Sequence, residues 1–468
     1  MDAVEQAFES LHGRDPITAI DSTQIDILAK ASKTTPAVRT RLGQPENVNR
    51  LVEALDTSLN DDFERTTVAL RCIGNACIDN HAARDEISAL GFRWMRRCLS
   101  DDNDDVKMLA VKVLYNICSD HEPAQRQCYG ENLDHQLIDI CASPLLIDNE
   151  ELSILVEVLF SITSQMPKDA TYRLPDDVLI KLLSLPYYHY QTADLDDFAM
   201  LLAICLTYLR NPSVQSQVVQ GRHLDLVWRT LVRVETKVLR SPPGSSDTAE
   251  VLKPLSASFL WCLSDIAAHA DFVQEYPLND AFTVDLLHTI KTRDEGLGVA
   301  REDIVTSDEA ATQISREAGA DPDETEIGGR SDRRDAAAYQ VVGNLLWALP
   351  PADFSPLVLQ EKLHEAAWRA VCDGSAEEDL LHSAAGLLVQ LSRPSAIVRE
   401  IIGRDEHAQM GLASLCEHKT SQLQQDGIKL LKALGRECPE NQTRFAHLAK
   451  QVIFSSSNDH TAAPDGPG

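Results

Sequence analysis

Two stretches decide the fold: RCIGNACIDNHAAR, Arg71–Arg84, and KVLYNICSDHEPAQR, which begins at Lys112. Laid over one another, they set Asn75 against Asn116, Cys77 against Cys118 and Asp79 against Asp120, each pair 41 residues apart. The apolar residues in and around them recur at helical spacing. Val68, Leu70, Cys72, Ile73, Cys77 and Ile78 form one broad face, and Val106, Leu109, Ala110, Val113, Leu114 and Ile117 form the other. Helices this apolar do not stand alone in water; they need neighbours of the same kind.

Working outward, the stretch EISALGFRWMRRCLSDDNDDVKMLAVKVL reads as a short helix, a second helix, an acidic turn and the next long helix. Fainter echoes follow at Val156–Met166, Leu201–Arg210, Phe259–His269, Gln340–Leu349, Ala385–Arg393 and Leu430–Glu437. Alternating strand patterns and hairpin signals are scarce. The period and the helix pattern resemble armadillo repeats, three-helix units stacked as a right-handed superhelix. The expected fold is therefore an all-α, armadillo-like, right-handed superhelical solenoid. Its parts are N-terminal repeats over 1–290, an acidic disordered loop over 291–335, C-terminal repeats over 336–454 and a disordered tail over 455–468. The loop expectation rests on Lys291–Asp335 having 13 acidic and 7 basic residues and no apolar stripe. Ser241–Thr248 (SPPGSSDT) reads as a shorter flexible connection.

The 468 residues carry 72 acidic against 43 basic side chains, a formal charge of −29. Nucleic acids and anionic membrane surfaces are bound through Lys and Arg, so both are excluded as general partners. A basic partner is the complement. No apolar run is long enough to cross a bilayer, and Met1–Ser10 lacks a secretory core. The eleven cysteines lie mostly in apolar runs, without metal-ligand spacing. They read as buried free thiols in a reducing, cytoplasmic compartment. No phosphate-binding, dinucleotide, nucleophile-elbow or zinc-protease motif occurs, so no cofactor and no catalytic chemistry is expected. His81 and His121 follow the Asp of each stretch, but no nucleophile accompanies them.

The candidate binding residues lie on the third helix of each unit. Arg71, Asn75 and Asp79 are spaced i, i+4, i+8 and so share a helix face; Lys112, Asn116 and Asp120 repeat them. Gln340 and Asn344 keep two members of the pattern, and Trp261, Asp265 and His269 occupy the same spacing. An Asn at such a place can hold an extended peptide backbone with both donor and acceptor, or can cap or pin the neighbouring repeat, and the two roles are not exclusive. The acidic clusters Asp101–Asp105, Asp148–Glu151 and Asp194–Asp197 fall at turns or helix starts, where the helix dipole favours carboxylates. An EF-hand reading of DDNDDV fails, because Val106 stands where the loop needs Gly. Trp94, Trp228, Trp347 and Trp368 read as core or groove-wall aromatics.

The first stretch, through Gly74, Asn75, Cys77, Asp79, His81 and Arg84, resembles the signature of the Smg-type GDP dissociation stimulators. That resemblance implies an acidic, cytosolic armadillo protein. It would bind small GTPases with polybasic, prenylated C-terminal tails, as a chaperone or as a stimulator of GDP release. Arg71, Cys72, Asn75, Ala76 and Cys77 are also similar to a segment of the ataxin-10 group, which implies a protein–protein scaffold without exchange activity. WCLSDIAA from Trp261 is locally similar to a motif of importin alpha, with Asp265 in place of the Asn. Arg71 and Lys112 stand where that array requires Trp, so an importin-type cargo groove is not expected.

Overall fold

The computed structural model describes residues 3–12, 21–58, 63–143, 149–167, 173–240, 246–293 and 331–450. Regular structure among them is helical throughout. Two compact units are present, Met1–Val214 and Gln215–Gly468.

The first unit holds α1 (Ala3–Leu11), α2 (Ser22–Thr34), α3 (Pro36–Leu42), α4 (Pro45–Ser58), α5 (Phe63–Ala76), α6 (His81–Ala89) and α7 (Arg93–Leu99). It continues with α8 (Asp104–Cys118), α9 (Glu122–Gly130), α10 (Leu133–Cys141), α11 (Asn149–Thr163), α12 (Asp176–Tyr188) and α13 (Leu195–Leu209). Helices α2, α5, α8, α11 and α13 pack each on the next as one layer. A second layer of α4, α7, α10 and α12 backs it, and the short α3, α6 and α9 join them. This is the three-helix repeat that the 41-residue period predicts.

Helix α14 (Pro212–Gln220) runs across the division. The second unit continues with α15 (Leu224–Arg240), α16 (Ser246–Ala267), α17 (Phe272–Glu275), α18 (Ala281–Thr292) and α19 (Asp332–Ala348). After them come α20 (Ser355–Leu359), α21 (Leu363–Cys372), α22 (Glu378–Leu391), α23 (Ala396–Arg404), α24 (Ala408–Cys416), α25 (Ser421–Gly435) and α26 (Pro439–Arg444). Here α16, α19, α22 and α25 form the main layer, backed by α18, α21 and α24. Each unit is thus a stack of helical repeats, and the fold is an all-α solenoid. Every faint echo in the sequence falls on the main layer: α11, α13, α16, α19, α22 and α25.

One device recurs at the ends of the layer helices α5, α8, α22 and α25. The carbonyls at these ends lie where intrahelical donors run out, and each accepts from a side chain seven residues on, at Cys77 and Cys118 beside a backbone amide of the turn. Arg84 Nε donates to Cys77 O at 3.0 Å and Gln125 Nε2 to Cys118 O at 2.7 Å. In the second unit, Arg399 Nη1 donates to Ser392 O at 3.3 Å and Asn441 Nδ2 to Leu434 O at 3.1 Å. Each donor belongs to the first helix of the following repeat. Gly74 sets the spacing of α5 and α8, since a Cβ there would lie 3.0 Å from Val113 Cγ2.

The acidic clusters act at helix starts. Asn103 Oδ1 accepts from the Asp105 and Val106 amides, with Asp104 and Asp105 in the first turn of α8. Asp194 caps α13 by accepting from Asp197 N, and Glu150 and Glu151 occupy the first turn of α11. Asp148 lies outside the described residues.

The boundaries differ in three places. Helix α16 begins at Ser246, so the end of the expected 241–248 connection is helical; residues 241–245 lie outside the described residues. In the expected 291–335 loop, α18 runs to Thr292 and α19 starts at Asp332. Residues 294–330 and the 455–468 tail lie outside the described residues. The division of the chain falls at Val214 and Gln215, not at this loop. A buried ion cluster explains why: Arg293 lies 3.3 Å from Asp335, 3.1 Å from Asp373 and 3.4 Å from Asp332, and so ties α18 to α19 and to the end of α21.

Candidate partner-binding face

The expected stripe bends at its third member. Arg71 and Asn75 share a face of α5, and Lys112 and Asn116 share a face of α8. Asp79 and Asp120 do not continue it. Both lie past the helix ends with left-handed backbones, at φ 53° and 51°. Asp and Asn enter that conformation more readily than other side chains with a Cβ, because their short polar groups bond locally. The two residues therefore make the turn into the next helix, just before the capping residues Asn80 and His121.

The asparagines prove to be pins at their donor end. Asn75 Nδ2 donates to Ala29 O at 3.1 Å and Ser32 Oγ at 3.0 Å, and Asn116 Nδ2 donates to Gly74 O at 3.3 Å. Asn344 Nδ2 donates to Ser264 O at 2.8 Å and Ser264 Oγ at 3.3 Å. Each amide thus reaches back to the preceding layer helix. Gln340 is likewise engaged, its Oε1 accepting from Ser383 Oγ at 3.3 Å. The donor ends of Asn75 and Asn344 each make two bonds within the chain, whereas Asn116 Nδ2 makes one and keeps a second N–H.

The basic members of the stripe are brought together. Arg71 and Lys112 line an open pocket of about 480 Å³ that crosses α2, α5, α8 and α11. Its other charged walls are Asp26, Glu64, Asp105 and Glu151, and its apolar walls include Phe63, Met108 and Leu109. Lys112 pairs with Glu151 at 3.0 Å and Asp26 with Lys30 at 2.5 Å. Arg71, Glu64 and Asp105 form no side-chain ion pair or hydrogen bond among the described residues. Phe63 is 51% exposed at the rim. The sequence reading missed Phe63, Glu64 and Met108; all three lie on the stripe face at helical spacing from Arg71 or Lys112.

Trp261 and Asp265 are exposed on α16, four residues apart. Trp347, read as core or groove wall, is exposed on α19, whereas Trp94 and Trp368 are buried and donate to Gly91 O and Ile402 O. His269 lies beyond the end of α16.

His121 is a cap. Its Nδ1 accepts from Ala124 N at 3.3 Å, which leaves the proton on Nε2 for Asp85, 3.0 Å away. His81 stacks on it with 6.0 Å between ring centroids. Among the described residues no three His, Cys, Asp or Glu side chains converge to hold a metal. All eleven cysteines are free thiols, and burial pushes Cys77 and Cys141 up to about 12, far from the reactive thiolate range. No helix among the described residues is long and apolar enough to cross a membrane.

No family model and no curated protein matches the chain. Two solved crystal structures of engineered proteins are similar to it. One is 15% identical, covers 93% of this chain and 99% of its own, and has a TM-score of 0.39. The other is 18% identical, covers 56% of this chain and 98% of its own, and has a TM-score of 0.39. Likeness at this level bears on neither activity nor partners.

Proposed function

We propose that the protein is a non-catalytic helical-repeat binding protein for Ras-superfamily GTPases with basic C-terminal tails, acting in a reducing, cytoplasmic compartment. The observation that carries this reading is the pocket on the first unit, where four carboxylates face two basic groups and two of the carboxylates are unpaired. A basic tail would meet Glu64 and Asp105 there, while Arg71 offers donors to backbone carbonyls of the bound segment. The charge of −29 steers such a tail from a distance and makes association fast and salt-sensitive. The resemblance of Arg71–Arg84 to the Smg-type stimulators supplies the GTPase as the partner class. Stimulation of nucleotide release would further require tighter binding to the nucleotide-free GTPase than to the GDP form.

The test is retention of purified GTPases, prenylated and unprenylated, by the full-length protein at low and moderate salt. A client with a polybasic tail is retained at low salt, and neutralising the tail abolishes retention. Equal retention of both tails overturns the reading. Glu64→Gln with Asp105→Asn weakens binding about 5-fold, the equivalent of ~1 kcal/mol. GDP release from a fluorescently loaded client then separates exchange stimulation from chaperoning.

A further inference from the structure

The turn from α21 into α22 sets an exposed hydroxyl against the buried ion cluster of the second unit. Asp373, Gly374, Ser375, Ala376 and Glu377 make this turn, and Gly374, Ser375 and Glu377 are exposed. Ser375 Oγ donates to Asp373 Oδ1 at 2.7 Å, and the Ser375 amide donates to the same oxygen at 3.0 Å. The hydroxyl makes no other bond among the described residues. At Gly374 a Cβ would meet nothing within 4 Å, so the backbone beside the serine is open to an approaching protein. Glu377, Glu378 and Asp379 stand two, three and four residues after Ser375. An enzyme with a basic substrate cleft reads such a run by charge.

The second oxygen of the same carboxylate faces inward. Asp373 Oδ2 accepts from Arg293 Nη2 at 3.1 Å, and Arg293 is buried at the end of α18 among Asp332, Asp335 and Asp373. The far end of the turn is fixed to α19, where Asp332 Oδ2 accepts from the Glu377 amide at 2.8 Å and Arg333 pairs with Glu377 at 3.3 Å. One carboxylate therefore links an exposed hydroxyl to the cation that ties α18, α19 and α21 together. Acidic side chains outnumber basic ones around it: Arg293, Arg333 and Arg334 face Glu235, Asp332, Asp335, Asp373 and Glu377.

We propose that Ser375 is a phosphorylation site for an acid-directed serine kinase, and that its phosphate releases Asp373 from Arg293. Ser375 Oγ attacks the γ-phosphorus of a nucleoside triphosphate. The Oγ–P bond forms, the bond from the γ-phosphorus to the β-phosphate oxygen breaks, the nucleoside diphosphate leaves, and the hydroxyl proton passes to the kinase's base. The loss of that proton is what the fold feels. The 2.7 Å contact with Asp373 exists because Oγ donates, and an ester oxygen has nothing to donate. A group of about −1.5 to −2 charges then stands beside a carboxylate and disrupts by repulsion. Asp373 turns away, Arg293 loses one of its three acidic partners, and the joint between the ends of α18 and α21 loosens. The inference stands on the second unit alone and does not require the partner to be a GTPase.

The test treats the full-length protein with casein kinase 2, a kinase directed by acidic residues, and MgATP. Tandem mass spectrometry finds phosphate on Ser375 at near-stoichiometric level, and Ser375→Ala carries none on the corresponding peptide. Phosphorylation lowers the thermal midpoint by about 2–4 °C. Amide exchange quickens about fivefold or more over residues 286–293 and 370–377 and is unchanged in the first unit. Ser375→Ala, treated in the same way, shows neither change. In Asp373→Asn, which lacks the repelled carboxylate, the shift on phosphorylation is half as large or less. Absence of phosphate on Ser375, a phosphorylated protein with unchanged midpoint and exchange, or an equal shift in Asp373→Asn overturns the proposal. Should Asp373→Asn fail to fold, the comparison of the natural chain with Ser375→Ala decides it. The GTPase retention experiment reads the first unit and is unaffected by either result.

Discussion

Asn75, Asn116 and Asn344 each donate an amide to the carbonyl of a neighbouring repeat. Removing the donor breaks the bond between repeats and loosens the joint, although Ala29 O keeps the Ser32 hydroxyl and Ser264 O keeps the Ala268 amide. Asn75→Ala and Asn344→Ala are each expected to cost about 1 kcal/mol in urea unfolding, the usual net worth of such a bond. A loss of partner binding with an unchanged midpoint would favour a groove role instead. At Asp120 the left-handed backbone sets the order of substitutions: Gly neutral or stabilising, Asn neutral, Val destabilising by about 1–2 kcal/mol, measured by thermal melts. The sequence showed that these positions matter but not what they do. A spacing of i, i+4, i+8 is helical only while the helix lasts, and α5 ends at Ala76. Asn carries donor and acceptor on one group, so its type alone could not say which end the fold had taken.

Among the elements, the layer helices were the most legible, because each is apolar on the faces that meet its neighbours and repeats at nearly constant spacing. The pocket was not, since Phe63 looks like a core residue until its 51% exposure is known. One buried contact between elements was hidden altogether: Asp134, in the first turn of α10, accepts from the Tyr208 hydroxyl of α13, 74 residues away. Burial raises the Asp134 carboxyl above its ordinary value, against the lowering effect of Tyr208 and of His135, whose Nε2 is 3.9 Å away. The folded state therefore holds this proton at pH values where the unfolded chain has released it. Its contribution is fully present below the ordinary aspartate range and is lost as pH rises through the raised folded value. Asp134→Asn keeps the acceptor for Tyr208 and removes the titration. The variant should gain stability at neutral pH and flatten the pH dependence above the aspartate range; an unchanged slope counts against this account.

For the molecule as a whole, the charge of −29 opposes compactness by self-repulsion as well as attracting basic partners. Raising ionic strength from about 10 mM to about 150 mM shortens the screening length from roughly 30 Å to 8 Å. The thermal midpoint should rise over that range while affinity for a basic partner falls; a falling midpoint would mean that internal ion pairs outweigh the repulsion. Composition made this field visible at once, but not where the chain divides, because the tie from Arg293 to Asp332, Asp335 and Asp373 joins residues 39 to 80 positions apart. The closure of the layer helices also has a consequence for dissection. Cys77 and Cys118 are completed by Arg84 and Gln125, which belong to the next repeat by the count of the period. The natural cutting frame is therefore shifted by one helix. A fragment ending at Ser119 leaves the Cys118 carbonyl without Gln125, whereas one ending at Gly130 carries its own stopper; truncation, insertion and grafting should follow the second frame.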